Sequence, residues 1–125
     1  MAMSRKKLLA SLRQLHQERR RLIRHLTRAH KLAIGTVAVV NRKCGNPYCH
    51  CAEGSGHPQT LFLFKDPTEG RRRCKLVRRQ DEAWMIRAGE HYRQFREDLK
   101  QLRAIDQQEK QILLVLMELW AIRYK

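Results

Sequence analysis

Three of the four cysteines in this chain of 125 residues fall inside one stretch of eight, CGNPYCHC, as Cys44, Cys49 and Cys51. The spacing is C-x4-C-x-C, and Gly45, Asn46 and Pro47 supply the turn chemistry that folds such a segment back on itself. Thiolates gathered this closely point to a metal ion. Zinc takes four nitrogen or sulfur ligands in a tetrahedron, and in small domains such a site does the work of a hydrophobic core. Three ligands come from the loop and a fourth must be found. His57 is the first choice, because the glycine-rich segment AEGSGHP can fold back. Cys74 is the alternative fourth ligand, and His50 the third, strained by a ligand on either side. An iron–sulfur cluster would need Cys74 as well. A catalytic zinc would need an open position and a base, and Glu53 is the one carboxylate close by in sequence.

On either side of the loop the apolar pattern is helical. Leu8, Leu12, Leu15, Leu22, Leu26, Ala29 and Ala33 step by three and four, with Arg19 in the one gap. This predicts a basic helix over 4–34, capped at Ser4 and ended by Gly35. A second helix is predicted over 81–124, with Asp81 and Glu82 at its start. Met85, Ala88, Tyr92, Phe95, Leu99 and Leu102 form its seam, and a change of phase follows near Ile105. Its end, ILLVLMELWAI (112–122), is apolar nearly all round, which predicts a homodimer through that segment. Between the helices the period becomes two. TVAVV (36–40), TLFLF (60–64) and RRRCKLV (71–77) predict strands, the last two joined by KDPTEG as a hairpin. The fold expected is a single domain of the α+β class, mostly α: two long antiparallel coiled-coil-like helices with a small zinc-stabilised hairpin or three-stranded lobe, 36–80, at their tips.

Charge narrows the partner. Lys and Arg number 27 against 12 Asp and Glu, a net charge of +15. Residues 1–34 carry ten bases and one acid, 35–80 nine and three, and 81–125 eight of each. Such an excess predicts a polyanion, nucleic acid first and DNA ahead of RNA. The residues expected to bind it are Arg19, Arg20, Arg21, Arg24 and Arg28 on the first helix, Arg42 and Lys43 beside the loop, and Arg71, Arg72, Arg73, Lys75, Arg78 and Arg79 on a hairpin edge beside the metal. Guanidinium groups bind phosphates without reading bases. No apolar run approaches the roughly 20 residues that span a membrane. The N-terminus lacks a continuous apolar centre, so a cytoplasmic protein with reduced thiols is expected.

From Arg42 through CGNPYCHC, His57-Pro58, the apolar strand, the basic strand and a helix containing HYRQF, the chain resembles a family of short, uncharacterised prokaryotic proteins. Their usual signature is C-G-K-P-x-C-x-C followed by H-G-P, and they are often encoded near transposase or phage genes. The likeness covers roughly residues 35–105. Asn46 stands where the family tends to have lysine, His57-Pro58 lacks the intervening glycine, and Cys74 is outside the pattern. The resemblance implies a zinc-loop fold and a mobile-element setting, and supplies no activity.

The function expected is a non-enzymatic, zinc-stabilised nucleic-acid-binding accessory protein. The alternative is a coiled-coil adaptor for a protein such as a recombinase or transposase. Glu90, His91, Glu97 and Asp98 read as ordinary surface positions on a helix, and no phosphate-cradling glycine loop is present.

Overall fold

The computed structural model describes residues 4–54 and 56–124. Met1, Ala2 and Met3 of the N-terminal stretch, Ser55 of the glycine-rich segment and Lys125 lie outside the described residues. Two compact units emerge, one drawn from the chain up to Ala29 and from Phe95 onward, the other from His30–Gln94.

In the first unit two helices run antiparallel. Helix α1 spans Arg5–Leu26, and the Ser4 side chain caps it by accepting from the Lys7 N–H at 3.3 Å. Helix α2 spans Glu82–Trp120, and its stretch from Phe95 lies along α1. Arg5 sits over the Trp120 ring, His16 meets Glu109, and His25 meets Asp98, so the register is constant along the pair. Leu8 and Leu22 are buried on the α1 side. On the α2 side the inner positions are Phe95, Asp98, Leu102, Ile105, Glu109, Ile112 and Leu116, an unbroken three-four series.

Three expectations change here. The first helix ends at Leu26, not at residue 34: the Thr27 hydroxyl donates back to the Ile23 carbonyl at 2.8 Å, and the chain then leaves the helix. The phase shift near Ile105 does not occur. The apparent shift came from placing Leu99 in the seam, whereas Asp98, 3% exposed, takes that place and is no surface position. The second helix stops at Trp120 rather than 124, and Arg123 turns back to Glu118 at 2.6 Å.

The second unit is built on a three-stranded antiparallel sheet in the order β1-β2-β3, with β1 Thr36–Arg42, β2 His57–Lys65 and β3 Arg72–Leu76. Alternation places Val37, Thr60, Phe62 and Phe64 on one face and Ala38, Leu61 and Leu63 on the other. Asp66 closes the β2–β3 turn, its carboxylate accepting from the Thr68 N–H at 2.8 Å. The first turns of α2 pack on the Val37 face. Ala33 donates its N–H to the Ala88 carbonyl at 3.0 Å, and a Cβ on Gly89 would come within 2.9 Å of Val37. Gly89, an inefficient helix former, is therefore what lets helix and strand approach.

Candidate metal centre

The sheet register assembles the centre. Arg42, the last residue of β1, pairs directly with His57, the first of β2. The loop of residues 43–56 therefore leaves and re-enters the sheet at one place, and Cys44 begins its excursion beside the imidazole. Gly56 completes the closure at φ +93°, and a Cβ there would lie 2.5 Å from the Arg42 carbonyl oxygen. No side chain fits so close to a backbone.

Within the loop the Asn46 side chain accepts from the Tyr48 N–H at 3.0 Å, and its carbonyl accepts from the Cys49 N–H at 3.1 Å. A single 3₁₀ turn, His50–Ala52, follows and lifts Cys51 into the interior, where it is 5% exposed. The ligand atoms of Cys44, Cys49, Cys51 and His57 all lie within 4.8 Å of one another. A tetrahedral ion with bonds of about 2.0–2.3 Å holds its ligand atoms roughly 3.5 Å apart, so this set fits one. The Cys44 and Cys51 sulfurs are 3.3 Å apart, and the Cys49 sulfur is 2.9 Å from Nε2 of His57.

The electrostatics favour a thiolate on the outer side of the cluster. The Asn46 backbone N–H, helped by the Cys51 and Cys49 thiols, brings the Cys44 thiol down to about 7. For Cys51 the Cys44 backbone N–H pulls the same way. Burial, together with the adjoining Cys44 and Cys49 sulfurs, outweighs that bond and leaves the Cys51 thiol raised. The four residues form a Cys3His cluster able to bind a metal ion such as zinc.

His57 thus joins the three loop cysteines, and Cys74, the alternative fourth ligand, does not. Cys74 pairs with Leu63, six residues along β2 from His57, which sets it about 20 Å away at ~3.3 Å per residue. His50 is exposed, outside the group of four.

The arginines separate into two sets. Arg19 fills the gap in the α1 seam and bonds Asp106 and, at 2.9 Å, Glu109. Arg21 pairs with Glu18, and Arg73 with Asp66 at 3.0 Å and Glu69 at 3.4 Å. Arg20, Arg24, Arg28, Arg42, Lys43, Arg71, Arg72, Lys75, Arg78 and Arg79 are exposed and meet no carboxylate in an ion pair among the described residues. The basic hairpin does not crowd the metal loop as expected. Strand β3 runs toward the loop, so Arg71, Arg72 and Arg73 begin at the far end of β2, beside Lys65. Arg78 and Arg79 follow Val77, whose N–H donates to Thr60 nearer the cluster.

Sequence reasoning missed two features. One is buried Asp98, hidden by the leucine beside it. The other is an aromatic face made by Phe62, Phe64 and Trp84, for which the alternation F-L-F was the available signal.

The fold and centre define a mostly helical α+β protein: two long helices packed together, a three-stranded antiparallel sheet and a Cys3His cluster. No family model, curated protein or solved structure matches the chain. Among the described residues no helix is long and apolar enough to cross a membrane.

Proposed function

We propose that this chain is a non-enzymatic nucleic-acid-binding accessory protein, DNA-directed, whose sheet unit is held by structural zinc. The observation that carries the proposal is the set of exposed bases without carboxylate partners around the metal-closed sheet: Arg42, Lys43, Arg71, Arg72, Lys75, Arg78 and Arg79. Exposed bases that meet no carboxylate are available to phosphates, and binding them releases counterions. Zinc is favoured for the centre by its donors, three sulfurs and one imidazole nitrogen, with no open position for a substrate. Zinc fixes the loop and therefore the ends of β1 and β2. The mobile-element setting is proposed on the resemblance of the CGNPYCHC segment alone. The test is purification in low salt without chelator, with metal analysis and absorbance at 260 and 280 nm. One zinc per chain and nucleic acid that leaves in high salt are the expected results. Metal-free protein, or zinc protein that binds no DNA at low salt, counts against the reading.

A second reading has its own observation. Leu113, Met117 and Trp120 are 56%, 54% and 58% exposed along one stripe of α2, with Leu114 beside them. One antiparallel helix covers only one side of a segment that is apolar nearly all round. We propose that a second copy covers the other, giving a homodimer through 112–122, as two helical hairpins do in a four-helix bundle. A protein partner such as a recombinase or transposase is the competing occupant. Sedimentation at micromolar concentration decides: a dimer that Leu113→Glu with Met117→Glu dissociates supports self-association. A wild-type monomer removes it.

A further inference from the structure

An apolar groove of about 440 Å³ lies within the second unit, where the Phe face of β2 meets the start of α2 and the segment 31–34. Its volume falls in the range of pockets that hold small molecules or single groups of larger ones. Three aromatic rings line it. Phe62 and Phe64 stack on each other with centroids 4.9 Å apart and planes 16° from parallel. Trp84, 41% exposed, is held by its indole N–H, which donates to Asp81 at 3.0 Å. Each end of the aromatic face carries a cation: the Lys31 ammonium lies 5.4 Å from the Trp84 ring and the Lys75 ammonium 6.0 Å from the Phe64 ring. Lys31 and Lys65 line the groove and no carboxylate does.

We propose that this groove takes an unpaired base of single-stranded DNA, stacked on Trp84 and the Phe62–Phe64 pair, with Lys31, Lys65 and Lys75 holding the flanking phosphates. The inference rests on the nucleic-acid reading above and specifies the form of nucleic acid. Lys31 and Lys75 lie over the Trp84 and Phe64 rings, so a base that stacks there displaces each ammonium toward the phosphates on either side of it, and stacking accepts any base. Bases inside a duplex cannot reach such a groove without leaving their stack. A peptide partner would bring side chains of either charge, whereas the cations here select a polyanion. The commitment to DNA follows from the DNA-directed reading above; the lysines and apolar groups of the lining select neither for nor against a 2′-OH.

The experiment is fluorescence anisotropy on the zinc-loaded full chain with a 20-nucleotide oligo(dT), a duplex of 20 base pairs, and oligo(U) of the same length. Trp84→Ala is expected to weaken oligo(dT) binding about 5- to 100-fold while duplex binding and its salt slope stay as they were. Trp84→Phe keeps a stacking ring and should recover most of the loss. If Trp84→Ala fails to fold, Phe64→Leu, which removes a stacking ring and keeps the apolar volume, is the variant to rely on: it should weaken oligo(dT) binding and spare the duplex, and equal or no weakening of the two forms overturns the groove. Tyr124→Ala, 98% exposed in the other unit and outside the 112–122 segment, should change nothing. Wild-type protein that binds DNA while Trp84→Ala weakens neither form, or weakens both equally, overturns the groove and leaves the nucleic-acid reading standing. Absence of binding to every probe at low salt overturns both. Tighter binding to oligo(U) than to oligo(dT) overturns the assignment to DNA.

Discussion

The imidazole of His57 and the missing side chain of Gly56 carry the centre between them, and each makes a separate prediction. A Cys3His zinc site binds with roughly 10–16 kcal/mol, so loss of one ligand of four is worth on the order of 3 kcal/mol. His57→Ala should therefore weaken zinc binding about 100-fold in competition with a chromogenic chelator. Cys74→Ser, altering a thiol about 20 Å away, should leave affinity unchanged. Gly56→Ala meets the Arg42 backbone at 2.4–2.5 Å from a left-handed conformation. It should cost about 1–3 kcal/mol in urea unfolding of the zinc-loaded protein. The cysteines were legible in the sequence because their spacing is itself the chemistry. The preference for His57 over Cys74 was legible too, in the glycine-rich segment that lets His57 fold back, whereas what holds it there, the pairing of Arg42 with His57, is a contact between strands that spacing does not show.

At the scale of the element, helix and strand were legible wherever the apolar period was clean, as in Leu8 to Leu26 or TLFLF. The end of α1 was not, because Ala29 and Ala33 continue the heptad rhythm while Ala33 belongs to the other unit, bonded to Ala88. Pattern reading sees spacing and not partners. The same limit hid Asp98 behind Leu99 and made Arg19 look like a phosphate ligand. Arg19→Ala should destabilise the helical unit by about 0.5–1.5 kcal/mol, through the ion pairs it leaves open on a partly exposed seam. It should leave DNA affinity within twofold, whereas Arg72→Gln should lower affinity and reduce the salt slope by about one. Calorimetry and anisotropy on the same samples separate the two. Gly89→Ala should cost about 1–3 kcal/mol by overpacking against Val37, and Val37→Ala should relieve part of that loss in the double variant.

For the whole molecule, the two units draw on different sources of stability. The helical unit buries leucines and Ile105 along a seam, while the sheet unit leaves Leu63 and Leu76 exposed and closes on a cluster of ligands. Chelation should therefore act unevenly. Hydrogen exchange after EDTA treatment should quicken severalfold or more at amides of β1, β2 and the loop. Amides in the buried seam, near Leu22 and Ile105, should keep their protection. Uniform acceleration would mean that the metal supports both units alike.

The one-to-one register of β1 and β2 has a further consequence. Side chains alternate along a strand, so a slip of one residue would turn the His57 imidazole to the opposite face and leave three thiolates without their fourth partner. A hairpin paired one step out of place would hold metal weakly or not at all. An ion bound by the four would thereby act as a proofreader of strand pairing, retained by a chain that has aligned its strands and lost by one that has not.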